Sequence, residues 1–263
     1  MAAYTHGHHE SVLRSHSNRT IANSAEYLRA HLHSDVRLLD LGAGPGTITV
    51  DFAQHVAHVT ATEIGEAELA LSQRLAAAQG MANVAFSVED AHALSFGDDS
   101  FDIVHSHQVL QHVADPVGAL REMRRVTKPG GLVAARDADY AGFIWFPQSP
   151  ELDEWLRLYR AAARANGGEP DAGRRLLSWA RAAGFEDVTA SASTWCYATR
   201  EEREWWGGMW ADRIVESALA RQLVDDGFAT NADLHRISQA WRTWSDASDG
   251  WYLVPHGEIL ARA

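Results

Sequence analysis

Residues 36–46 read Val-Arg-Leu-Leu-Asp-Leu-Gly-Ala-Gly-Pro-Gly, and this stretch decides the fold. A short apolar strand ends at the acid Asp40 and runs at once into a loop with three glycines, Gly42, Gly44 and Gly46. Because glycine has no Cβ atom, the backbone of such a loop can take positive φ and come close to a ligand. A strand followed by a glycine turn and a helix N-terminus is where open α/β sheets bind nucleotides.

The spacing of the glycines narrows the kind of nucleotide. Dinucleotide folds use G-x-G-x-x-G, which would need a third glycine at position 47, where this chain has Thr47. The chain instead has G-x-G-x-G, with Asp40 two residues before the first glycine. An acid at this point repels a pyrophosphate but can hold a cationic amino group. The pattern therefore favours a nucleoside with a positively charged amino-acid tail over a dinucleotide.

Further strands follow in a fixed order, and two of them end in acids. The segments 58–63 and 84–91 read as strands that end at Glu63 and near Asp90, and 101–107 reads as a fourth strand. The motifs Leu-Gln-His-Val, Asp-Pro and Lys-Pro-Gly-Gly-Leu-Val come next. Together with the glycine loop, this series resembles the class I S-adenosylmethionine-dependent methyltransferases. The later motifs resemble the type 11 branch, the ubiquinone/menaquinone-biosynthesis-like methyltransferases, and the resemblance is close over about half of the chain.

The resemblance and the alternation of strands and helices predict the same fold class. Strand–helix–strand repetition gives a parallel sheet with helices on both faces. We therefore expect an α/β protein with a doubly wound, seven-stranded Rossmann-like sheet, its last strand antiparallel, and helical lid insertions. The prediction is a single methyltransferase domain over 1–263, with an N-terminal helical cap at 1–34, a cofactor-binding core at 35–136, and lid insertions at 137–170 and 199–249.

Composition restricts the partners. The net charge of −12 disfavours nucleic acid, because phosphate binding needs clustered Lys and Arg. No apolar run approaches the ~20 residues that span a bilayer, and the N-terminus does not resemble a secretory signal. The single cysteine, Cys196, excludes internal disulfides and fits a reducing compartment. The expectation is a cytoplasmic monomer or homodimer that binds neither membrane nor nucleic acid.

The resemblance implies S-adenosyl-L-methionine as cofactor and assigns its contacts. Glu63 follows the glycine loop by about 20 residues, where ribose hydroxyls are usually held. Asp90 ends the third strand and, in this family, faces the adenine amine. The residues expected to bind the cofactor are Asp40, Gly42, Ala43, Gly44, Glu63, Ile64, Asp90, Ala91, His107 and Gln108.

Methyl transfer depends mainly on the positioning of the acceptor atom next to the methyl group. It needs a base only if the acceptor is not already ionised. His107 and Gln108 lie just past the fourth strand, where either of them lines the active site or merely packs. His112 matches a histidine that is common at this place in the type 11 family, although a helix cap or a polar core niche explains it as well. His107 and His112 are the catalytic candidates; the family has no universal base.

The histidine-rich start of the chain contains His6, His8 and His9. These residues lack an accompanying Cys or carboxylate at ligand spacing, so no metal is expected. In similar enzymes the N-terminal segment folds over the cofactor, which makes Tyr4 and His8 candidates for contact with the substrate.

Ten tryptophans are the other conspicuous feature of the sequence. Trp155 and Trp179 lie on helices with clear apolar faces and are expected to pack in the core. Four others lie in the insertions, where aromatic faces can hold a flat substrate or shield a sulfonium. The prediction is that two of these four line the substrate pocket; they are Trp145, Trp205, Trp206 and Trp210.

The leading hypothesis is a methyltransferase that moves a methyl group by in-line displacement to a small, aromatic or polycyclic metabolite. An alternative keeps the cofactor but changes the reaction to a non-methyl one such as cyclisation in natural-product biosynthesis. A nucleic-acid methyltransferase is disfavoured by the acidic charge and by the residues 105–108 after the fourth strand. A non-enzymatic partner subunit is disfavoured by the intact glycine loop.

Overall fold

A mixed eight-stranded sheet forms the centre of the structure, a computed structural model that describes residues 18–263. The strands are β1 (Arg37–Leu41), β2 (His58–Glu63), β3 (Val84–Val88), β4 (Phe101–His107), β5 (Thr127–Ala138), β6 (Ile144–Phe146), β7 (Val188–Tyr197) and β8 (Trp251–Arg262). Their order is β3-β2-β1-β4-β5-β8, and β6 and β7 both pair with β8. The first five strands are parallel, so the carboxyl ends of β1, β2 and β4 meet at one edge.

Eight α-helices connect and cover these strands in the described part of the chain. They are α1 (Thr47–Ala53), α2 (Glu66–Ala78), α3 (Pro116–Val126), α4 (Pro150–Ala165), α5 (Leu176–Ala182), α6 (Arg200–Glu216), α7 (Ala218–Asp225) and α8 (Asn231–Asp246). Local sequence sets where several of them begin. Asp115 caps α3 by accepting a hydrogen bond from the amide of Gly118, and Pro116 occupies the first turn. Thr199 and Thr230 cap α6 and α8 in the same way, each within a capping box.

The doubly wound α/β sheet predicted from the sequence is confirmed, but it has eight strands instead of seven. The extra strand, β6, lies in the first insertion and has only three residues, too few to show an alternating pattern. Within 137–170 the structure also has α4, and within 199–249 it has α6, α7 and α8.

The last strand is antiparallel, as predicted, but the residues 251–254 predict a much shorter strand than the structure shows. β8 runs past Pro255 to Arg262, pairing with β6 up to Leu253 and with β5 from His256 onwards. On its other side β7 pairs with β8 without a break, and Thr194 lies opposite Pro255. The Pro255 carbonyl accepts a hydrogen bond from the amide of Asp139, so the missing N–H faces the gap between β6 and β5 and breaks no pair with β7.

The described part of the N-terminal cap, for which the sequence predicts helical structure, is not a regular α-helix. It consists of a π-helical turn, Ile21–Ala25, followed by a 3₁₀ segment, Glu26–His31. Its apolar side chains still face the sheet, since Ile21 and Leu28 are fully buried. Within residues 18–263, no helix has the length and apolar character needed to cross a membrane.

Apolar side chains form three clusters that fix the position of the site. One cluster lies between the sheet and α3 and α5, and a second lies under the N-terminal turns and α1 on the opposite face. The third joins α4, α6 and α8 to the start of β8, and its members include six tryptophans, Trp145, Trp155, Trp206, Trp210, Trp241 and Trp244. We call this third cluster the aromatic lid core. The carboxyl edge of β1, β2, β4 and β5 carries the candidate site.

Candidate active site

The backbone of the glycine loop after β1 adopts conformations that favour glycine. Gly42, Gly44 and Gly46 have φ of 72°, 58° and 85°, in the left-handed region. A Cβ atom on Gly42 would lie 2.4 Å from a methyl carbon of Val109, and one on Gly46 would lie 2.8 Å from the backbone of Ser72. The loop therefore packs closely against the segment after β4 and against α2.

Backbone hydrogen bonds tie the loop to the end of β2. The amides of Gly42 and Ala43 both donate to the carbonyl of Thr62, at 3.0 and 2.9 Å. The amide of Gly44 donates to Oε1 of Glu63 at 2.6 Å. The predicted ribose-binding acid thus lies directly beside the predicted glycine loop.

Glu63 and Ile64 present a polar and an apolar surface side by side. The second carboxylate oxygen of Glu63 accepts a 3.3 Å hydrogen bond from the amide of Ile64. Burial raises the pKa of Glu63, and the amides of Gly44 and Ile64 oppose that rise. The Ile64 side chain is 59 % exposed although it is large and apolar. A carboxylate with free lone pairs next to an exposed aliphatic side chain is complementary to a sugar diol attached to an aromatic base.

Asp40 has partners inside the protein. Thr49 donates to its Oδ2 at 2.6 Å, and Nδ1 of His105 lies 2.9 Å from its Oδ1. The side chain is buried beneath the glycine loop. The structure therefore shows the Asp40 side chain joined to α1 and β4, and its direct contact with a cationic amino group stays a prediction.

Asp90 lies after β3, at the same edge of the sheet. Its Oδ1 accepts a hydrogen bond from the amide of His92 and lies 2.9 Å from the His92 ring. These hydrogen bonds lower the pKa of Asp90, so the carboxylate is ionised at neutral pH. Ala91 follows it and is partly buried. Both positions agree with an adenine site at this edge, which stays a prediction.

His107 and Gln108 end β4 and begin the next loop. His107 is buried, and neither of its ring nitrogens has a hydrogen-bond partner within the residues that the structure describes. Burial holds the pKa of His107 well below the ordinary value. Gln108 has a positive φ of 56°, and its side chain joins the guanidinium of Arg19 at 2.6 Å to Nε2 of His256 at 3.0 Å. The amide oxygen and nitrogen of Gln108 therefore link the N-terminal segment to β8.

His112 lies in a short 3₁₀ turn, Leu110–His112. Its Nε2 is 3.0 Å from the side-chain nitrogen of Gln111, and burial lowers its pKa to about 3. The ring is neutral at physiological pH and accepts a proton poorly. A polar core niche thus accounts for the surroundings of His112, while a catalytic role for it stays a prediction.

Comparison with known proteins identifies the family. Residues 32–196, more than half of the chain, match the family described as Methyltransferase domain. The chain belongs to the S-adenosylmethionine-dependent methyltransferases. It is an enzyme of this family, and its cofactor is S-adenosylmethionine.

Two relatives show how far the similarity extends. An uncharacterized methyltransferase of Schizosaccharomyces pombe is 36% identical over 268 residues, which cover 98% of this chain and 95% of the relative. The demethylmenaquinone methyltransferase of Clavibacter sepedonicus is 34% identical over 171 residues, covering 58% of this chain and 66% of the relative. The resemblance to the quinone-biosynthesis branch is therefore confirmed.

A solved structure shares the fold of this methyltransferase. The crystal structure of the [4+2]-cyclase SpnF matches with a TM-score of 0.54 and 21% identity, covering 94% of this chain and 80% of that one. At this identity the likeness concerns the fold alone. The fold therefore does not decide between methyl transfer and cyclisation.

The residues at the sheet edge fit the methyltransferase cofactor. The Glu63 carboxylate has acceptor positions beyond its two amide bonds, which suits a pair of hydroxyl groups. The exposed Ile64 offers an apolar surface for a flat base. Among residues 18–263, no group of three or more His, Cys, Asp or Glu side chains is placed to hold a metal ion. Metal-independent activity stays a prediction.

The tryptophans of the insertions pack mainly against one another. Trp145, Trp206 and Trp210 are buried in the aromatic lid core, whereas Trp205 is only partly buried against it. Trp210 meets Trp155 edge to face, with ring centroids 4.5 Å apart. The predicted packing role of Trp155 is confirmed by its complete burial. Substrate contacts by the other four stay predictions, and Tyr4, His8 and the neighbouring His6 and His9 lie outside the described residues.

Trp179, the other tryptophan expected to pack in the core, lies on the opposite side of the sheet. It is partly buried against the apolar cluster beneath α3 and α5. The packing prediction therefore holds for Trp179 as well.

Sequence reasoning missed a group of buried polar residues near His107. They are Arg136 and Asp137 at the end of β5, with His256 and Glu258 on β8. The signal was present in the sequence, since Arg136-Asp137 interrupts the apolar run Leu132–Ala135, and charged residues are rarely fully buried without a specific partner.

Proposed function

We propose that this methyltransferase transfers a methyl group to a small-molecule acceptor bound beside the ends of β4, β5 and β8. The observation that carries the proposal is the enclosure of this region. His107, Arg136 and His256 are polar yet almost completely buried, and each has a ring or guanidinium nitrogen for which the described part of the chain supplies no hydrogen-bond partner. Enclosed polar groups of this kind suit a small metabolite better than a polymer.

Residues of the chain hold the two reactants. Glu63 and Ile64 would hold the ribose and the base, with Asp90 beside the base amine. When bound, S-adenosylmethionine would supply a methyl group on a sulfonium sulfur. The methyl carbon would bond to the nucleophile of the acceptor, and the electron pair of the broken carbon–sulfur bond would stay on sulfur. Positioning alone accounts for ~7–11 kcal/mol of such a barrier. Because burial keeps His107 neutral, its ring orients the acceptor by hydrogen bonding and does not act as a strong base.

The insertions at 137–170 and 199–249 are proposed to set the choice of acceptor. Both are absent from a minimal cofactor-binding sheet, and loops and insertions at strand ends carry function on such scaffolds. An aromatic or polycyclic acceptor fits the tryptophan content of this region. The net charge of −12 disfavours a nucleic-acid acceptor, and the single Cys196 favours a reducing cytoplasm. We place the protein there as a monomer or homodimer.

A mass-spectrometric screen tests the proposal. The purified protein is incubated with S-adenosylmethionine and a metabolite extract, with Glu63→Ala as the matched control variant. The expected result is a metabolite heavier by one methylene unit that forms with the wild type and not with the variant. A product of unchanged mass would indicate cyclisation, and methyl label confined to macromolecules would contradict a small-molecule acceptor.

A further inference from the structure

A row of polar residues crosses one face of the sheet beside the proposed acceptor site. His107 on β4 lies in register with Arg136 on β5, and Arg136 lies in register with Glu258 on β8. All three are buried, and the same face of β4 and β5 carries the apolar residues Ile103 and Ala134 further from the carboxyl edge. The charged pair Arg136 and Glu258 therefore lies at the end of an apolar sheet face, next to the proposed acceptor site.

Only part of the Arg136 guanidinium is satisfied within the protein. Its Nε lies 3.1 Å from Oγ of Ser193 and 3.2 Å from Oε1 of Glu258. Ser191 and Ser193 also donate to the Glu258 carboxylate, which holds that acid in place. Among residues 18–263, the two outer nitrogens of Arg136 have no hydrogen-bond partner, although the side chain is 1 % exposed. A guanidinium carries five N–H donors, so four of them remain unmatched.

The surroundings of these outer nitrogens contain further unpartnered polar atoms. The Arg136 guanidinium lies over the ring of Trp195, with 5.0 Å between its carbon and the ring centroid. Trp195 in turn contacts the rings of His256 and His107, at centroid distances of 4.3 and 5.8 Å. The hydroxyl of Tyr27, which interacts electrostatically with Arg136, is also buried and has no hydrogen-bond partner among residues 18–263. Arginine, imidazole and phenol groups thus converge on one place, with an aromatic wall beside them.

A buried guanidinium without partners is costly, so the arrangement points to a ligand that supplies them. The fork of an arginine matches the two oxygens of a carboxylate, because two parallel N–H···O bonds form at once. Glu258 does not fill this role, because its carboxylate engages Nε and two serine hydroxyls and forms no hydrogen bond with either outer nitrogen.

We propose that Arg136 binds a carboxylate of the methyl acceptor, so that the acceptor is a small carboxylic acid; this rests on the proposed function. Arg136 is then a substrate-binding residue, with His107 and Tyr27 beside the anion and Trp195 along one side. Adjacent strands lie about 4.8 Å apart, so Arg136 on β5 is roughly 10 Å across β4 from Asp40 on β1. A single-ring or two-ring acid is long enough to reach from Arg136 toward the glycine loop.

Binding of simple probes to the full chain tests the inference without turnover. The protein loaded with S-adenosylhomocysteine is titrated calorimetrically with benzoate, 2-naphthoate, their neutral amides, and inorganic phosphate. We expect at least one of the two acids to bind at least tenfold more tightly than its amide. Equal affinity for acid and amide, binding of phosphate alone, or no binding of either acid up to millimolar concentration would overturn the proposal.

Variants locate the bound carboxylate. Arg136→Lys keeps the charge but loses the fork, and the double variant Arg136→Met, Glu258→Gln removes both buried charges so that neither is left uncompensated. Both are expected to weaken binding of the acid at least tenfold, while Arg262→Met at the exposed end of β8 leaves it unchanged. S-adenosylhomocysteine affinity within a few-fold of the wild type shows that the variants are folded. Unchanged binding of the acid in the folded double variant would contradict the assignment.

The proposed function and this inference fail separately. Absence of any methylated product in the metabolite screen would reject the proposed function, whether or not benzoate binds in the calorimetric titration. A methylated product that lacks a carboxylate, formed equally well by folded Arg136→Lys, would reject the inference and keep methyl transfer to a small molecule.

Discussion

Nδ1 of His105 lies 2.9 Å from Oδ1 of Asp40, and both side chains are buried beneath the glycine loop. Thr49, in the first turn of α1, occupies the other oxygen of Asp40. The acid that precedes the glycines therefore joins three elements, the strand β1, the helix α1 and the neighbouring strand β4. Glu63, in contrast, accepts a hydrogen bond from the loop itself, from the amide of Gly44.

Glu63→Ala is expected to weaken S-adenosylmethionine binding tenfold or more. Each charge-assisted hydrogen bond to a ribose hydroxyl contributes ~1.5–3 kcal/mol, and ~1.4 kcal/mol is tenfold in affinity. Calorimetry on the variant measures the effect, with Glu204→Ala on the exposed face of α6 as control. Unchanged affinity in a folded Glu63→Ala protein would remove Glu63 from the site.

Trp205→Ala is expected to raise the KM for the acceptor and to leave cofactor affinity within a few-fold. Trp205 is the informative choice because it is only partly buried, whereas truncating Trp206 or Trp210 in the aromatic lid core costs about 3–5 kcal/mol of folding stability. Trp179→Ala, half-buried on the far side of the sheet, is the matched control. Equal kinetics for both variants would assign Trp205 to packing.

Asp137 is expected to make the protein less stable as the pH rises from about 4 to about 7. Burial raises its pKa to about 7 in the folded protein, against ~3.9 in an unfolded chain. Across this window the folded state holds a proton that the unfolded state has lost, so the free energy of unfolding falls with pH and then levels off.

Asp137→Asn removes this titration and keeps an acceptor for the amide of Gln111. Its stability relative to the wild type should therefore increase from pH 4 to pH 7 by up to roughly 4 kcal/mol. Urea denaturation at several pH values measures the difference, and Asp153→Asn, exposed on α4, is the control. A pH-independent difference between Asp137→Asn and wild type would show that the buried carboxyl does not titrate in this range.

Chelation is expected to leave activity unchanged, because positioning of two reactants accounts for methyl transfer without a Lewis acid. The test is a turnover assay with and without a chelator, once an acceptor is known. Loss of activity that a divalent ion restores would overturn the prediction and return His6, His8 and His9 to candidacy as ligands.

The cofactor half of the fold was predictable because its signals are local. The G-x-G-x-G loop, the acids at the ends of β2 and β3, and the Asp115-Pro116 helix start each show in a few consecutive residues, and the structure places them at one edge of the sheet. These features depend on the backbone conformation of a few residues and on where a strand ends, and short sequence patterns predict both.

The acceptor side could not be predicted in the same way, because its contacts join distant segments. Arg136 meets Glu258 across 122 residues, and Gln108 meets His256 across 148. The tryptophan pattern showed that the insertions are aromatic, but not that Trp210 meets both Trp206 and Trp155 edge to face in a core of their own. The length of β8 depended on where β5 ends and β6 begins, which no local pattern around Pro255 reveals.

We expect S-adenosylmethionine to bind between the glycine loop and the acids beside it. Titration calorimetry on the purified protein measures this binding without knowledge of the acceptor. S-adenosylmethionine and S-adenosylhomocysteine should both bind, each weakened tenfold or more by Glu63→Ala, and NAD should not bind. Binding of NAD with no binding of S-adenosylmethionine would contradict the account.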